Sequence, residues 1–186
     1  AGQADPELQK RLVALEADIV QMFNQHRGTV DGKALSENEI RGILSDSKDP
    51  KAVEKAWKAY MEVGAKVDKK LREAVDLRNQ IAKQLGFRNF YGMQLALGEI
   101  DEQELMKLFD ELDQLTVGPF GEVKKGIDTA AAARFGIPVA DLRPWHYSDL
   151  FFQDAPASET SGLETVYKDQ DLLALAKTYY TGLGLD

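Results

Sequence analysis

An all-α fold, a multi-helix array with long helices, is what the sequence predicts, and three observations carry it. Apolar residues recur at spacings of three and four through most of the 186 residues. The breaks between these stretches are helix start and stop signals: Asp-Pro, Ser-x-x-Glu, and single glycines after the last apolar position. No segment alternates convincingly with the period of two that a half-buried strand requires. With 44% hydrophobic and 29% charged residues, the chain is long enough and apolar enough to bury a core.

Leu8, Leu12, Leu15, Ile19 and Met22/Phe23 form the stripe of a first helix, opened by Asp5-Pro6 and ended by the stretch Gly28 to Gly32. Ser36 and Glu39 have capping-box spacing and open a short helix through Ile40, Ile43 and Leu44. Asp49-Pro50 starts the longest element, whose period runs from Val53 to Leu85 before Gly86. Unbroken, it would extend about 54 Å, more than a compact domain of this length needs, unless Gly64 breaks it. A short helix follows Asn89 and stops at Gly98. Asp101 caps the next, with Leu105, Leu108/Phe109, Leu112 and Leu115 expected inward. Pro119 is expected to kink or interrupt that helix, which resumes through Val123 and Ile127 and ends at Gly136. Pro138 to Leu142 reads as a helical turn, 143–165 as irregular, and about Asp169 to Tyr180 as a last helix.

Thirty-one acidic against twenty-three basic side chains argue against nucleic-acid binding by the whole chain. No apolar run approaches the roughly 20 residues of a membrane span. The charge is uneven: residues 51–98 carry ten Lys/Arg and five Asp/Glu, residues 99–186 seven and seventeen. Two solvated faces that attract one another explain this pattern.

There is no cysteine, so thiolate metal sites and cysteine nucleophiles are excluded, and the two histidines, His26 and His146, are far apart in sequence. Asp101, Glu102 and Glu104 suit a helix N-terminus, while Asp110, Glu111 and Asp113 suit its solvent face. His26, next to Arg27, reads as a cation-capable residue at a helix C-terminus. The segment Arg143 to Phe152 differs. It gathers Trp145, His146, Tyr147, Ser148 and Asp149 outside any helical period, a polar-aromatic cluster of the kind that lines binding surfaces. Trp145, His146 and Tyr147 are its candidate substrate-binding residues; a His146–Asp149 acid–base pair is a lesser candidate.

Four stretches in order resemble the N-terminal half of an angiotensin-converting-enzyme-like (peptidyl-dipeptidase A) zinc metallopeptidase of bacterial type. They are Ala56-Trp57-Lys58-Ala59-Tyr60 with Val63-Gly64; Leu77-Arg78-Asn79-Gln80-Ile81-Ala82 through Gly86-Phe87; Pro119-Phe120 on to Ile127 and Arg134-Phe135-Gly136; and Leu142-Arg143-Pro144-Trp145-His146-Tyr147. The closing Ala176 to Leu185 resembles the helix and turn that precede the family's catalytic half.

The resemblance implies that residues 1–186 are one all-α region, a fragment forming one lobe of a two-lobed peptidase with a deep cleft. It implies a peptide substrate, release of short peptides from oligopeptides, and a missing C-terminal catalytic half as partner. It also implies zinc in the full-length protein, held by His-Glu-x-x-His and a later Glu. No such motif occurs here, so this chain is expected to bind no metal and to be inactive alone. In the animal enzymes the corresponding loop reads Trp-Ala-Gln-Thr-Trp, and its Gln contacts the substrate's C-terminal carboxylate; Tyr147 stands in that place here. Relatives of this type work outside the cytoplasm, so a periplasmic or secreted location is expected. The alternative reading is a non-catalytic helical module that binds peptides or proteins.

Overall fold

The structure, a computed structural model, describes residues 4–152, 167 and 169–185. Among these it contains six α-helices, two 3₁₀ turns and one short hairpin, and the chain divides into two units, residues 1–150 and 151–186. In the first unit the elements are α1 (Pro6–Gln25), β1 (Gly28–Val30), β2 (Lys33–Leu35), α2 (Glu37–Asp46), α3 (Pro50–Gln84), α4 (Phe90–Leu97) and α5 (Glu102–Phe135), followed by 3₁₀ turns at Val139–Asp141 and Pro144–His146. The all-α expectation is met.

The helix starts follow the sequence signals closely. Asp5 accepts from the Glu7 amide at 2.9 Å, ahead of Pro6 at the first helical position. Ser36 and Glu39 form a reciprocal capping box, with the Ser36 amide donating to Glu39 Oε2 at 2.8 Å. Asp49, Asn89 and Asp101 cap α3, α4 and α5 by accepting from backbone amides of the first turn. Gly136, at φ 64°, ends α5 in the left-handed conformation that a residue without Cβ adopts at least cost.

α3 is the scaffold. It runs 35 residues without a break at Gly64, about 52 Å at 1.5 Å per residue. Its first half buries Val53, Ala56 and Tyr60 against Leu35, Ile40, Leu44, Phe135 and Leu150. Its second half buries Ala74 and Leu77 against Leu15, with Leu8, Leu12 and Ile19 alongside. The basic side chains of α3 find acids on α1: Lys70 reaches Asp18 at 2.6 Å and Arg78 reaches Glu16 at 2.6 Å. Of the attraction expected between residues 51–98 and the acidic stretch that follows, Arg88 meets Glu102 at 2.9 Å, while Lys70 and Arg78 are paired with α1. These ion pairs are largely solvated and fix register more than they stabilise.

Three local expectations need correction. The stretch Gly28 to Leu35 is a two-stranded antiparallel hairpin, with Thr29 opposite Ala34, turning at Asp31 (φ 49°) and Gly32 (φ 82°). Asp-Gly is the dipeptide that suits such a turn, because both central residues need positive φ. The strands are three residues each, too short for their alternation to register. Second, α5 continues through Pro119. Proline there removes the donor that would serve the Leu115 carbonyl and crowds that carbonyl with its ring, but this part of the helix is exposed, where water can replace the lost partner. Third, Leu108, Phe109, Leu112 and Leu115 are not inward. They are between 44% and 71% exposed, and α5 buries only Ala132 and Phe135 at its far end.

The second unit contributes α6 (Leu172–Gly182), capped by Asp171 through the amides of Leu173 and Ala174. Tyr179 and Tyr180 meet edge to face at 5.4 Å. Residues 153–166 of the expected irregular stretch lie outside the described residues.

Gly28 is where the hairpin meets α3. A Cβ at this position would stand 2.9 Å from the Ala59 carbonyl carbon and 2.9 Å from Ile40 Cδ1, and backbone cannot yield as a flexible side chain does. Gly28→Ala should therefore destabilise the chain by about 2 kcal/mol, within the usual range for overpacking a core, as measured by urea unfolding. Ser36→Ala, which removes the capping-box hydroxyl, should cost about 1 kcal/mol in the same measurement.

Candidate functional site

The polar-aromatic segment after α5 is held in place by groups from α2, α3 and α5. Two hydrogen bonds close its 3₁₀ turn: the His146 amide donates to the Arg143 carbonyl at 2.9 Å, and the Arg143 amide donates to His146 Nδ1 at 2.9 Å. The second bond requires Nδ1 to be the unprotonated nitrogen. The His146 ring is buried, 4.9 Å from the Phe135 centroid and 5.9 Å from Trp145. Burial, reinforced by the nearby Arg143 guanidinium, holds its pKa below the ordinary 6.5. His146 is thus a neutral, structural imidazole at physiological pH.

Trp145 is half-buried, tilted against Trp57 of α3 at 5.8 Å between centroids, with Lys58 Nζ 5.2 Å above its ring. Trp57 carries a feature that the sequence did not reveal. Its Nε1 is buried and has no hydrogen-bond partner among the described residues, a costly state for a donor in an apolar place. Tyr147 points toward α5, where its hydroxyl donates to Asp128 Oδ1 at 2.8 Å and Lys124 Nζ donates to Asp128 Oδ2 at 2.6 Å. Burial, and then the Asp128 carboxylate, push the Tyr147 phenol above its usual pKa. Lys124 and Tyr147 hold the Asp128 carboxyl below its own, against the opposing effect of burial. The three predicted residues are therefore contiguous, but each is engaged differently: one ring on α3, one ring in the core, one phenol on α5.

Asp149 lies elsewhere. Its carboxylate is buried and accepts from Arg41 Nη1 at 2.7 Å, and Arg41 Nε donates to Glu37 at 2.8 Å. The Tyr60 hydroxyl donates to the other Glu37 oxygen at 3.3 Å, and burial beside Glu37 raises that phenol to about 12. With Asp149 held by Arg41 and His146 Nδ1 by the Arg143 amide, the two are not joined as an acid–base pair. Arg134 completes the clasp: it donates to the carbonyls of Leu44, Ser45 and Ser47 and to Ser148 Oγ, all at 2.6–2.8 Å. That guanidinium satisfies carbonyls at the end of α2 and ties the loop to them. Nothing in its sequence context marked Arg134 as a clasp, because the carbonyls it binds are 87 to 90 residues away.

His26 is also committed. Its ring is buried, with Nε2 donating to the Ala59 carbonyl at 3.0 Å and Nδ1 3.1 Å from Lys66 Nζ. Arg27, rather than His26, meets the carbonyls at the end of α1. Among the described residues no three His, Cys, Asp or Glu side chains converge as metal donors. Both histidines already serve the fold, so the described residues do not fit a zinc site.

Compared with known protein families, residues 3–120 match the family model described as angiotensin-converting enzyme. The chain belongs to that family of peptidases. The match spans the whole of the first two resembling stretches and the start of the third; the Trp145–Tyr147 loop lies beyond it. No curated protein and no solved structure matches. Among the described residues no helix is long and apolar enough to cross a membrane.

His146 and Tyr60 lead to opposite pH responses. The His146 pKa is depressed on folding, so its contribution to stability is present above about 6.5 and is lost as pH falls through the folded value. Unfolding free energy should drop between pH 7 and pH 5, and His146→Gln should flatten that drop in chemical denaturation. Tyr60 is the reverse: its proton is held more tightly in the folded chain, so stability falls as pH rises from about 10 toward 12. In an ultraviolet titration of the six tyrosines, the last component should vanish in Tyr60→Phe.

Proposed function

We propose that this chain forms part of the substrate cleft of a zinc peptidase that releases short peptides from oligopeptides, working outside the cytoplasm. The observation that carries the proposal is membership of the angiotensin-converting enzyme family over residues 3–120. The zinc ligands and the general base come from polypeptide other than these residues, so the chain alone is inactive.

Within that reading, the 143–149 loop offers peptide its contacts. Trp145 and Tyr147 are half-buried and reachable, and His146 fixes the turn that presents them. When peptide binds, the Tyr147 hydroxyl turns its single proton from Asp128 to a substrate carboxylate, and the Lys124 ammonium beside Asp128 supplies positive charge to the same place. Binding at this point positions the peptide; bond cleavage occurs elsewhere.

The test is reconstitution. The 186-residue chain with added zinc should leave a quenched fluorescent oligopeptide intact. Combined with polypeptide carrying the His-Glu-x-x-His motif from its parent reading frame, it should give chelator-sensitive cleavage. In the reconstituted enzyme Tyr147→Phe should raise KM about tenfold with little change in kcat, the signature of a lost ground-state hydrogen bond. A parent frame without that motif, or cleavage by the chain alone, overturns the proposal.

A further inference from the structure

The turn between β1 and β2 holds the chain's only Asp-Gly pair, at Asp31 and Gly32. The Asp31 side chain is 71% exposed, so solvent reaches its carboxyl group. Gly32 has no side chain, and nothing lies within 4 Å of the position a Cβ would take, so its backbone nitrogen is unscreened. That amide makes no hydrogen bond among the described residues; the strand ladder engages Val30 and Lys33 on either side of the turn. A carboxyl carbon and the next backbone nitrogen are therefore neighbours in water, with nothing bonded to the nitrogen's proton.

Asp31 itself is tethered. Lys55 of α3 donates to Oδ1 at 2.7 Å and to Oδ2 at 3.0 Å, across 24 positions of sequence. The tether is made by the carboxylate, whereas ring closure on Gly32 needs the neutral carboxyl, because an ionised oxygen cannot leave as water. Lys55 must release Asp31 before that reaction runs. The turn must loosen as well, since the hairpin holds Asp31 at φ 49° and Gly32 at φ 82°. Both side chains of the pair are more than half exposed, so the hold is real but weak.

We propose that Asp31 converts spontaneously to isoaspartate and that the Lys55 ion pair retards the conversion. The Gly32 amide nitrogen attacks Asp31 Cγ. The new N–Cγ bond closes a five-membered imide, while the amide proton and the carboxyl hydroxyl depart as one water. Water then opens the imide. Cleavage at Cγ restores aspartate; cleavage at the Asp31 backbone carbonyl carbon leaves the chain running through Cγ, with a free α-carboxylate. Neither an oxidant nor a cofactor takes part, and the mass is unchanged. The product adds one methylene to a two-residue turn, so the pairing of Gly28 with Leu35 no longer fits. Leu35 sits in the core and Gly28 lies against Ala59, and the lesion therefore loosens the hairpin from α3. Nothing in this chemistry depends on peptidase activity.

Trypsin cuts after Arg27 and Lys33, so residues 28–33 come away as one hexapeptide. The test incubates the full chain at neutral pH and body temperature for several weeks, then separates that hexapeptide by chromatography. Transfer of a labelled methyl group by an isoaspartyl methyltransferase identifies the isomer. Isoaspartate should accumulate at Asp31, more slowly than in the free synthetic hexapeptide, and should not form there in Asp31→Glu, whose ring would need six members. Lys55→Gln should raise the rate about threefold, Lys55→Arg should keep it near the parent value, and high salt should bring the parent chain toward Lys55→Gln. The isomerised chain, separated from the parent form, should unfold at lower urea. Absence of isoaspartate when the free hexapeptide has half converted overturns the proposal. So does conversion as fast as in the free hexapeptide, or a Lys55→Gln chain that melts with the parent and isomerises no faster. If Lys55→Gln lowers the melting temperature, the salt series decides, and a rate unmoved by salt overturns the role of Lys55.

Discussion

Residues 4–150 are organised by the apolar surface of α3. In a folded chain most of a helix's stability comes from the apolar face it buries rather than from propensity. Here the N-terminal half of α3 receives the hairpin, α2 and the 3₁₀ turn at Pro144–His146, while its C-terminal half receives α1 and α4. Ala56 and Ala59 are small where the hairpin crosses, and Gly28 has no side chain at all, so backbone approaches backbone there. Larger side chains on either partner would push the hairpin outward and remove the seat of Leu35 in the core.

The candidate loop inherits its geometry from that arrangement. Trp145 is placed by Trp57 on α3, His146 by Phe135 at the end of α5, and Asp149 by Arg41 on α2. Arg134 links the same elements through carbonyls that α2 leaves unsatisfied at its end. The loop is thus polar and aromatic for two reasons that coincide. Some of its side chains knit three helices together, and others, Trp145 and Tyr147, remain partly accessible. Family membership gives this second group a peptide-binding reading, although the matched residues end before the loop.

Helix boundaries were legible to a degree that site geometry was not. Asp5-Pro6, Ser36 with Glu39, Asp49-Pro50, Asn89 and Asp101 all cap as their local chemistry requires, because a cap is decided within three residues of the helix start. The hairpin was missed because three-residue strands carry too little alternation, even though Asp31-Gly32 held the signal. The Leu105–Leu115 stripe was read correctly as apolar and wrongly as buried. Periodicity reports which face of a helix is apolar; it says nothing of whether this chain supplies the surface that covers it.

Sequence alone determined the all-α class, the helix starts, the absence of thiolate chemistry and the shortage of histidine, since each follows from local pattern or from counting. Which residues meet was decided only in three dimensions. The Arg41–Asp149 pair spans 108 positions and the Arg134 clasp 87 to 90. The same holds for the division of labour within Trp145, His146 and Tyr147. Three neighbours of similar appearance became a half-open ring, a buried neutral imidazole and a phenol on a carboxylate, because desolvation and hydrogen bonding depend on what the fold packs around each one.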